Sequence, residues 1–441
     1  MIKNKILSNA AWIIGCKILQ AILGLVVTML SARYLGPSGY GLINYAASIV
    51  AFVTPIMQLG LNSTLVQEII HDPEGEGEII GTALVMSLVS SVACIIGVIA
   101  FAGITSRGET DTVIVCALYS LLLIFQAIEL VQYWFQAKLL SKYTSVVMLC
   151  AYVMVSAYKI VLLMTGSSIY WFAVSQALDY CIIAAALMVI YKRLGGLRFS
   201  FSFSRAGEMF ARSKYYIVSS LMVTIFAQTD RIMLKMMIDD AAVGYYSAAI
   251  TCAGMTGFVF AAIIDSARPS ILEKKKGNDQ IGFEQGMTLL YSVVIYLALA
   301  QSVVVTLFSG LIVKILYGAA YAATIPALRI VVWYTTFSYL GGARTVWILA
   351  EGKQKVLWAI NLSAAIGNIV LNWVLIPIWG IDGAAVASFA TQIFANVIMG
   401  YIMREIRPNN ALMVRALNPV TLLGAIRDII KPRGGNDGTK G

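Results

Sequence analysis

Residues 79–104 read IIGTALVMSLVSSVACIIGVIAFAGI, a run of 26 residues without a charged side chain. A helix needs about 20 apolar residues to cross a hydrocarbon core of about 30 Å, so this run predicts one membrane span. The span is predicted to be helical because backbone polar groups find no water partners in lipid.

Similar runs occupy most of the chain. Of its 441 residues, 59% are hydrophobic and 12% are charged, whereas soluble domains are about a quarter charged. This composition excludes an ordinary soluble enzyme and predicts an all-α polytopic membrane protein. We predict about twelve transmembrane helices, at residues 9–31, 42–66, 79–104, 112–136, 143–165, 169–191, 212–237, 244–265, 286–313, 326–350, 356–376 and 383–403.

Lysine and arginine concentrate in every second connecting segment, above all in residues 192–214 and 274–276. The positive-inside rule places these segments in the cytoplasm, together with both chain ends. This distribution accounts for the net charge of +10, so we expect no nucleic acid partner. The six cysteines lie in apolar runs without a CxxC pair, and the single histidine lies in a polar loop, so no metal or cofactor is predicted.

The basic loop 192–211 divides the spans into two six-helix lobes, at residues 1–191 and 212–403. A tail at 404–441 follows, predicted to hold an amphipathic helix and a flexible end. The segments GYGLINYAAS (39–48) and GYYSAAI (244–250) lie 205 residues apart and open the second and eighth spans. They predict parallel pseudo-repeats around a central cavity, unless the likeness of these turns is due to chance.

Four cations lie well inside predicted spans, away from the span ends: Lys17, Lys159, Arg231 and Arg344. A charge at the centre of a membrane helix costs about 2.5–3.5 kcal/mol, so such residues usually face a cavity. Their different depths suit the passage of an anionic group. The alternative for Lys159, Arg231 and Arg344 is that their side chains extend to the membrane surface, whereas Lys17 lies too deep for this.

Polar and acidic side chains also recur at helical spacing within the spans. Glu129, Asp179 and Asp230 are candidates for ion coupling. The alternatives are hydrogen bonds between helices and, for Asp230, neutralisation of Arg231. Amide side chains that could line the cavity or join helices are Gln126, Gln228, Asn361, Asn368 and Asn372.

Three segments carry a resemblance to a known family. They are ARYLGPSGYGL (32–42), Asp230-Arg231 followed by VGYYSAA (243–249), and NIVLNWVLIPIWGIDGAAVA (368–387). They resemble the polysaccharide biosynthesis (oligosaccharide-lipid, O-antigen-type flippase) family of the multidrug/oligosaccharidyl-lipid/polysaccharide exporter superfamily. The resemblance covers essentially the whole chain.

The resemblance implies a bacterial inner-membrane flippase rather than an enzyme. Its cargo would be a polyprenyl-pyrophosphate-linked oligosaccharide, moved by alternating access to the periplasmic face for O-antigen, capsule or exopolysaccharide assembly. The cavity cations would bind the pyrophosphate and the amides would contact sugars. Implied partners are membrane lipids and the polymerase and chain-length proteins of polysaccharide assembly.

Two other functions remain open from the sequence. A cation-coupled multidrug exporter of the same superfamily would need an acidic, aromatic cavity, whereas lysine and arginine are as frequent here as acids. A membrane glycan polymerase or ligase would need a sizeable outer loop, and the predicted outer loops are short.

Overall fold

The computed structural model describes residues 2–106 and 108–420, with side chains at residues 19–20 and from residue 23 onward. The α-helices, numbered in chain order, are α1 (Ile2–Met57), α2 (Leu65–His71), α3 (Glu76–Thr105), α4 (Thr110–Ser120), α5 (Leu122–Glu129), α6 (Gln132–Ala137), α7 (Ser141–Thr165), α8 (Ile169–Arg193), α9 (Phe203–Met237), α10 (Asp240–Gly254), α11 (Gly257–Lys276), α12 (Gln280–Leu316), α13 (Thr324–Ala350), α14 (Lys355–Ile393), α15 (Met399–Ile402) and α16 (Arg407–Ala416). A π-helix, Phe394–Ile398, joins α14 to α15.

Within the described residues, eight helical stretches are long and apolar enough to cross a membrane. The pair α10–α11, bent by 43°, makes a ninth if it counts as one span. This architecture agrees with the predicted all-α polytopic class, and the count of twelve stays a prediction. The eight stretches are Leu23–Met57, Glu76–Thr105, Thr110–Ala137, Ser141–Thr165, Ile169–Arg193, Phe203–Met237, Gln280–Leu316 and Lys355–Ile402.

Two of these stretches contain a glycine with non-helical backbone. Gly36 in α1 has φ 67° and Gly380 in α14 has φ 56°, in the region that only glycine adopts without strain. Both breaks fall where the sequence predicts a turn between two spans, at residues 31–42 and 376–383. The stretch of 48 residues at Lys355–Ile402 also exceeds the roughly 20 residues that one crossing requires.

The chain divides into two compact units. Unit 1 comprises Met1–Ala248, Val313–Thr324 and Ile369–Ala384, and unit 2 comprises Ala249–Ile312, Ile325–Asn368 and Ala385–Gly441. Unit 1 extends past the loop at 192–211 and includes α9. The lobe boundaries predicted from the sequence stay a prediction.

Unit 1 has a close-packed aromatic and aliphatic cluster where α3, α6 and α8 meet. The Trp134 ring contacts Tyr191 edge-on at 4.9 Å between ring centroids, and contacts Phe135 at 5.1 Å. The Tyr191 hydroxyl donates to the carbonyl of Leu197 at 2.8 Å. The cluster fixes the helices of unit 1 around the cavity described below.

The segments identified as repeats, which begin near Gly39 and at Gly244, contact each other inside unit 1. A Cβ atom at Gly41 would overlap the carbonyl of Asp240, and one at Gly244 would overlap the carbonyl of Pro37. Backbone therefore packs directly against backbone here, and only glycine permits this approach.

Unit 2 ends in the short helix α16, which packs against its own bundle. The Tyr291 hydroxyl donates to Asn409 Oδ1 at 2.5 Å, and Ser292 Oγ donates to the carbonyl of Ala416 at 2.9 Å. The predicted amphipathic segment is thus partly buried against α12, up to the last described residue, 420. The rest of the predicted tail lies outside the described residues.

Candidate functional site

Unit 1 has an open polar cavity of about 580 Å³ between α1, α4, α5, α8 and α9. Most of these helices belong to stretches that can span a membrane. The polar lining consists of amides and hydroxyls: Thr54, Gln58, Asn62, Tyr119, Gln126, Gln176, Tyr180, Ser219, Ser220, Thr224 and Gln228. None of the residues that line this cavity carries a formal charge. We call it the unit 1 cavity.

One wall of the unit 1 cavity is a polar stripe on α9. Ser220, Thr224 and Gln228 recur every four residues, which places them on one helix face. Arg231 lies one turn further along, half-buried, and its Nη1 donates to Gln228 Oε1 at 2.8 Å. Arg231 Nε also donates to Ser247 Oγ at 3.0 Å. The guanidinium is therefore held by side chains at the end of the cavity wall.

The opposite wall comes from the end of α1 and from α4, α5 and α8. Asn62 Nδ2 donates to Gln58 Oε1 at 3.1 Å, so these two amides orient each other. Gln126 Oε1 is buried and has no hydrogen-bond partner in the described structure. An amide oxygen in this state costs free energy unless a ligand or water satisfies it. Gln126 is therefore prepared to accept a hydrogen bond from a bound polar group.

Three predicted residues come together behind this wall. Glu129 is 6% exposed and lies one turn after Gln126 on α5. Its charge interacts with that of Asp179 on α8, which in turn interacts with Lys159 on α7. Among the described residues, no ion pair within 4.0 Å joins these three. The structure thus brings two of the three candidates for ion coupling, Glu129 and Asp179, near each other and near one cation, Lys159.

Asp230 lies in a separate buried network. It accepts hydrogen bonds from the Tyr246 hydroxyl and from Asn372 Nδ2, the latter at 2.6 Å. All three side chains are buried. Asp230 thus bonds to α10 and α14, while its neighbour Arg231 bonds to Gln228 and Ser247. Asn372, proposed from the sequence as a sugar contact, here joins helices.

Near the contact between residues 37–41 and 240–244, Lys235 forms a third polar group. Its Nζ lies 2.5 Å from Glu109 Oε2 and 2.8 Å from Asp240 Oδ2. The Lys235 side chain is buried, whereas Glu109 is half-exposed in the loop before α4. Hydrogen bonding from Lys235 holds the pKa of the Glu109 carboxyl below its usual range, so Glu109 stays ionised and the ion pair persists.

In unit 2, Arg344 has a different environment. It is 2% exposed and donates to the carbonyl of Ala395 at 2.9 Å and to the carbonyl and side-chain oxygen of Asn396, both at 3.2 Å. These acceptors belong to the π-helix Phe394–Ile398, whose altered hydrogen-bond register redirects its carbonyls. Asn368 is also buried, with Nδ2 donating to Ser388 Oγ at 3.3 Å, and Asn361 is half-buried on α14.

The described residues contain no group of three or more His, Cys, Asp or Glu side chains that could hold a metal ion.

Comparisons with known proteins relate this chain to a described family. Residues 6–274, more than half of the chain, match the sequence model of a family described as polysaccharide biosynthesis protein. The chain belongs to this family. Among curated relatives of this polysaccharide biosynthesis protein, the capsular polysaccharide biosynthesis protein CapF of Staphylococcus aureus is 21% identical over 404 residues, covering 90% of this chain and 99% of CapF. Agl15 of Haloferax volcanii, a probable low-salt glycan biosynthesis flippase, is 23% identical over 245 residues, covering 52% and 50%.

Solved structures share the fold of this polysaccharide biosynthesis protein. The lipid II flippase MurJ, in an inward closed conformation, aligns with a TM-score of 0.72 at 14% identity, covering 97% of this chain and 93% of MurJ. An inward-facing MATE family multidrug resistance transporter of the MOP superfamily aligns with a TM-score of 0.67 at 15% identity, covering 90% and 96%. At such identities, these likenesses show the fold alone.

The structure places the predicted site residues in different environments. Gln126 and Gln228 line the unit 1 cavity, and Arg231 joins it through Gln228. The Lys17 side chain lies outside the described residues. From the sequence, we did not identify Thr54 on α1, Gln58 and Asn62 just after it, or Gln176 and Tyr180 on α8. Their four-residue spacing in an apolar span was a usable signal.

Proposed function

We propose that this protein is a flippase that moves a polyprenyl-pyrophosphate-linked oligosaccharide from the cytoplasmic to the outer face of the membrane by alternating access. The unit 1 cavity is the observation that carries the proposal. It presents amides and hydroxyls between membrane-spanning helices, where unsatisfied polar groups are costly. Side chains that both donate and accept hydrogen bonds suit a cargo rich in hydroxyl groups.

In this proposal, the cations bind the pyrophosphate. Arg231 is the strongest candidate because its planar guanidinium can bind phosphate oxygens in pairs, and because its present partners are a side-chain amide and a hydroxyl. Lys17 and Lys159 are further candidates. Arg344 would have to leave the carbonyls of Ala395 and Asn396 to take part.

Export of this cargo is favoured by the membrane potential. A pyrophosphate with about two negative charges gains about 2.3 kcal/mol per charge per 100 mV when it moves outward from a negative interior. Glu129, Asp179 and Asp230 are the candidates for additional ion coupling. If collapsing the potential across loaded vesicles leaves the flipping rate unchanged, the potential does not drive export.

The proposal places the protein in the bacterial cytoplasmic membrane, with both termini in the cytoplasm. The protein would have no catalytic role, and its product would pass to polymerase and chain-length proteins on the outer face. The sugar-contact candidates Gln126 and Gln228 lie on the cavity surface, whereas Asn361, Asn368 and Asn372 would contact cargo only in another conformation.

A multidrug exporter is the second candidate. The MATE neighbours have the same fold, and the acidic pair Glu129 and Asp179 lies behind the cavity wall. The uncharged lining argues against it, since lipophilic cations favour acidic and aromatic sites.

Complementation tests the proposal. The gene is expressed in a flippase deletion strain that contains its native polysaccharide cluster, and surface glycan is measured for wild type, Arg231→Glu and Arg231→Lys. We expect wild type to restore glycan, Arg231→Glu to abolish it at normal membrane levels, and Arg231→Lys to restore part of it. Arg193→Glu, at an exposed arginine after the α8 span, is the matched control and should behave as wild type. Failure of wild type to restore glycan, with resistance to lipophilic cations instead, would favour the exporter.

A further inference from the structure

The chemistry of the unit 1 cavity restricts the kind of sugar that it can accept. All of its polar lining residues are amides, aliphatic hydroxyls or tyrosines, and they come from five different helices. Each amide offers both a carbonyl acceptor and N–H donors, and each hydroxyl can do either. This set matches hydroxyl and acetamido groups, which also donate and accept. It contains no charge to balance a carboxylate.

Several lining residues retain unused hydrogen-bonding capacity. Gln126 Oε1 is buried without a partner, and the Gln58–Asn62 bond uses only one N–H group and one oxygen of the two amides. On α9, Thr224 Oγ1 donates to the carbonyl of Ser220 at 3.0 Å and retains its acceptor capacity. A neutral sugar entering the cavity would satisfy these groups.

An anionic sugar, by contrast, would find no group on the lining that balances its charge. A carboxylate that enters the cavity loses its water and finds no cation on the lining, which makes its burial costly. The nearest cation along α9, Arg231, binds the pyrophosphate in the proposed function, so it does not balance a second anion on the sugar. The acidic residues Glu129 and Asp179, near Gln126 and Tyr180 along the chain, offer an anion no positive charge.

The cavity size sets a second limit. A volume of about 580 Å³ lies within the range of about 300–1,000 Å³ that small-molecule sites occupy. Such a space holds a few sugar rings, not a long repeat unit. The cavity is therefore suited to a short part of the glycan.

We infer that the unit 1 cavity is a sugar subsite that selects uncharged sugars over acidic ones, with Gln58, Gln126 and Thr224 among its specificity-determining residues. The inference rests on the proposed flippase function and adds the class of sugar that the cavity accepts.

The test uses purified full-length protein in lipid vesicles with two synthetic cargoes. Both are polyprenyl pyrophosphates that carry a disaccharide, of N-acetylglucosamine with galactose in one and with galacturonic acid in the other. The two differ only at one sugar carbon, a hydroxymethyl group in the first and a carboxylate in the second. Flipping is followed by exposure of the sugar to a membrane-impermeant oxidant of vicinal diols. We expect the neutral cargo to flip about tenfold faster or more.

Charge substitutions connect this preference to the cavity. Gln58→Lys and Thr224→Lys place a cation on two different walls, and each should raise flipping of the acidic cargo and reduce the preference by about tenfold. Gln136→Lys introduces the same charge at an exposed glutamine outside the cavity and serves as the matched control. Thermal unfolding of each variant verifies that it is folded.

The outcomes separate the inference from the proposed function. Equal flipping of both cargoes by wild type, or faster flipping of the acidic one, would overturn the inference and leave the flippase standing. A neutral preference that folded Gln58→Lys and Thr224→Lys both retain would also overturn it, because selection would then occur outside this cavity. If wild type flips neither cargo, the proposed function fails and the inference fails with it.

Discussion

Arg231 in unit 1 and Arg344 in unit 2 are both arginines inside predicted spans, yet their partners differ in kind. Arg231 is half-buried and donates to two side chains, Gln228 and Ser247. Arg344 is almost fully buried and donates to the backbone carbonyls of Ala395 and Asn396. Side chains can reorient when an arginine takes a new ligand, whereas carbonyls in a lipid-embedded bundle find no water to replace it. Arg231 is thus suited to exchange partners, and Arg344 to hold a helix together.

Removal of the Arg344 guanidinium should have the largest effect on stability. In Arg344→Met the carbonyls of the π-helix lose their donors, and we expect the free energy of unfolding to fall by about 2–3 kcal/mol. Thermal unfolding of the purified protein in detergent measures this loss. Arg344→Lys should recover only part of it, since a lysine cannot reproduce the forked geometry. A melting temperature of Arg344→Met equal to wild type would show that Arg344 is not needed for the fold.

A smaller effect is expected from Gly341→Ala, which disturbs the same region without removing a charge. A Cβ atom at Gly341 would overlap the side chain of Asn396, which Arg344 and Gln392 hold in place. Overpacking of this kind costs about 1–3 kcal/mol, and we expect the lower half of that range. Gly367→Ala is the matched control in unit 2, because open space surrounds that position. A Gly341→Ala protein as stable as Gly367→Ala would contradict the tight packing around Asn396.

Substitution of Arg231 should reduce transport far more than it reduces stability. Arg231→Gln removes hydrogen bonds to two side chains and to no backbone carbonyl, so we expect a stability loss of at most about 1 kcal/mol. Flipping of a pyrophosphate-linked lipid should nevertheless fall by about tenfold or more, because a charge-assisted contact is lost. Melting curves and vesicle flipping assays on one preparation measure both. Equal losses in stability by Arg231→Gln and Arg344→Met would remove the distinction between the two arginines.

The smallest expected effect concerns an arginine outside the cavity, Arg205. Its guanidinium binds Asp72 at 2.7 Å and, with the backbone N–H of Gly75, holds the pKa of that carboxyl below its usual range. A lowered pKa in the folded state stabilises the protein above the unfolded pKa of about 3.9, and this contribution disappears as pH falls through the folded value. We therefore expect a slight loss of melting temperature below about pH 4, which Asp72→Asn abolishes.

The two membrane arginines should not share this pH dependence. No carboxylate in the described structure pairs with Arg231 or Arg344. The stability difference between Arg344→Met and wild type should therefore stay constant where that of Asp72→Asn changes. A difference that vanished in acid would indicate a carboxylate partner for Arg344.

Helical patterns could be predicted from the sequence, and long-range partners could not. The spacing of Ser220, Thr224 and Gln228 defines one face of α9, and that face lines the cavity. Hydrophobic runs likewise placed the helices, and glycines at 36 and 380 coincide with predicted turns. These features depend only on local sequence.

The partners of Asp230 and Arg344 depend on tertiary structure instead. Asn372 lies 142 residues from the carboxylate that it binds, and no periodicity relates the two. Arg344 binds carbonyls that a π-helix redirects, and every residue has a carbonyl, so no side-chain pattern marks those acceptors. From the sequence, Lys17, Lys159, Arg231 and Arg344 share one predicted role. In the structure, Arg231 and Arg344 have partners of different kinds.

The backbone contact between residues 37–41 and 240–244 has an evolutionary consequence. Any side chain at Gly41 would strike the carbonyl of Asp240, and any side chain at Gly244 would strike that of Pro37. A substitution at one position cannot be compensated by a side-chain change at the other, because the atoms in the way belong to the main chain. Substitutions that neutral drift permits on the lipid-facing helices are therefore not tolerated at Gly41 and Gly244. If the two segments descend from one duplicated ancestor, this contact arose between the copies and has since restricted both positions to glycine.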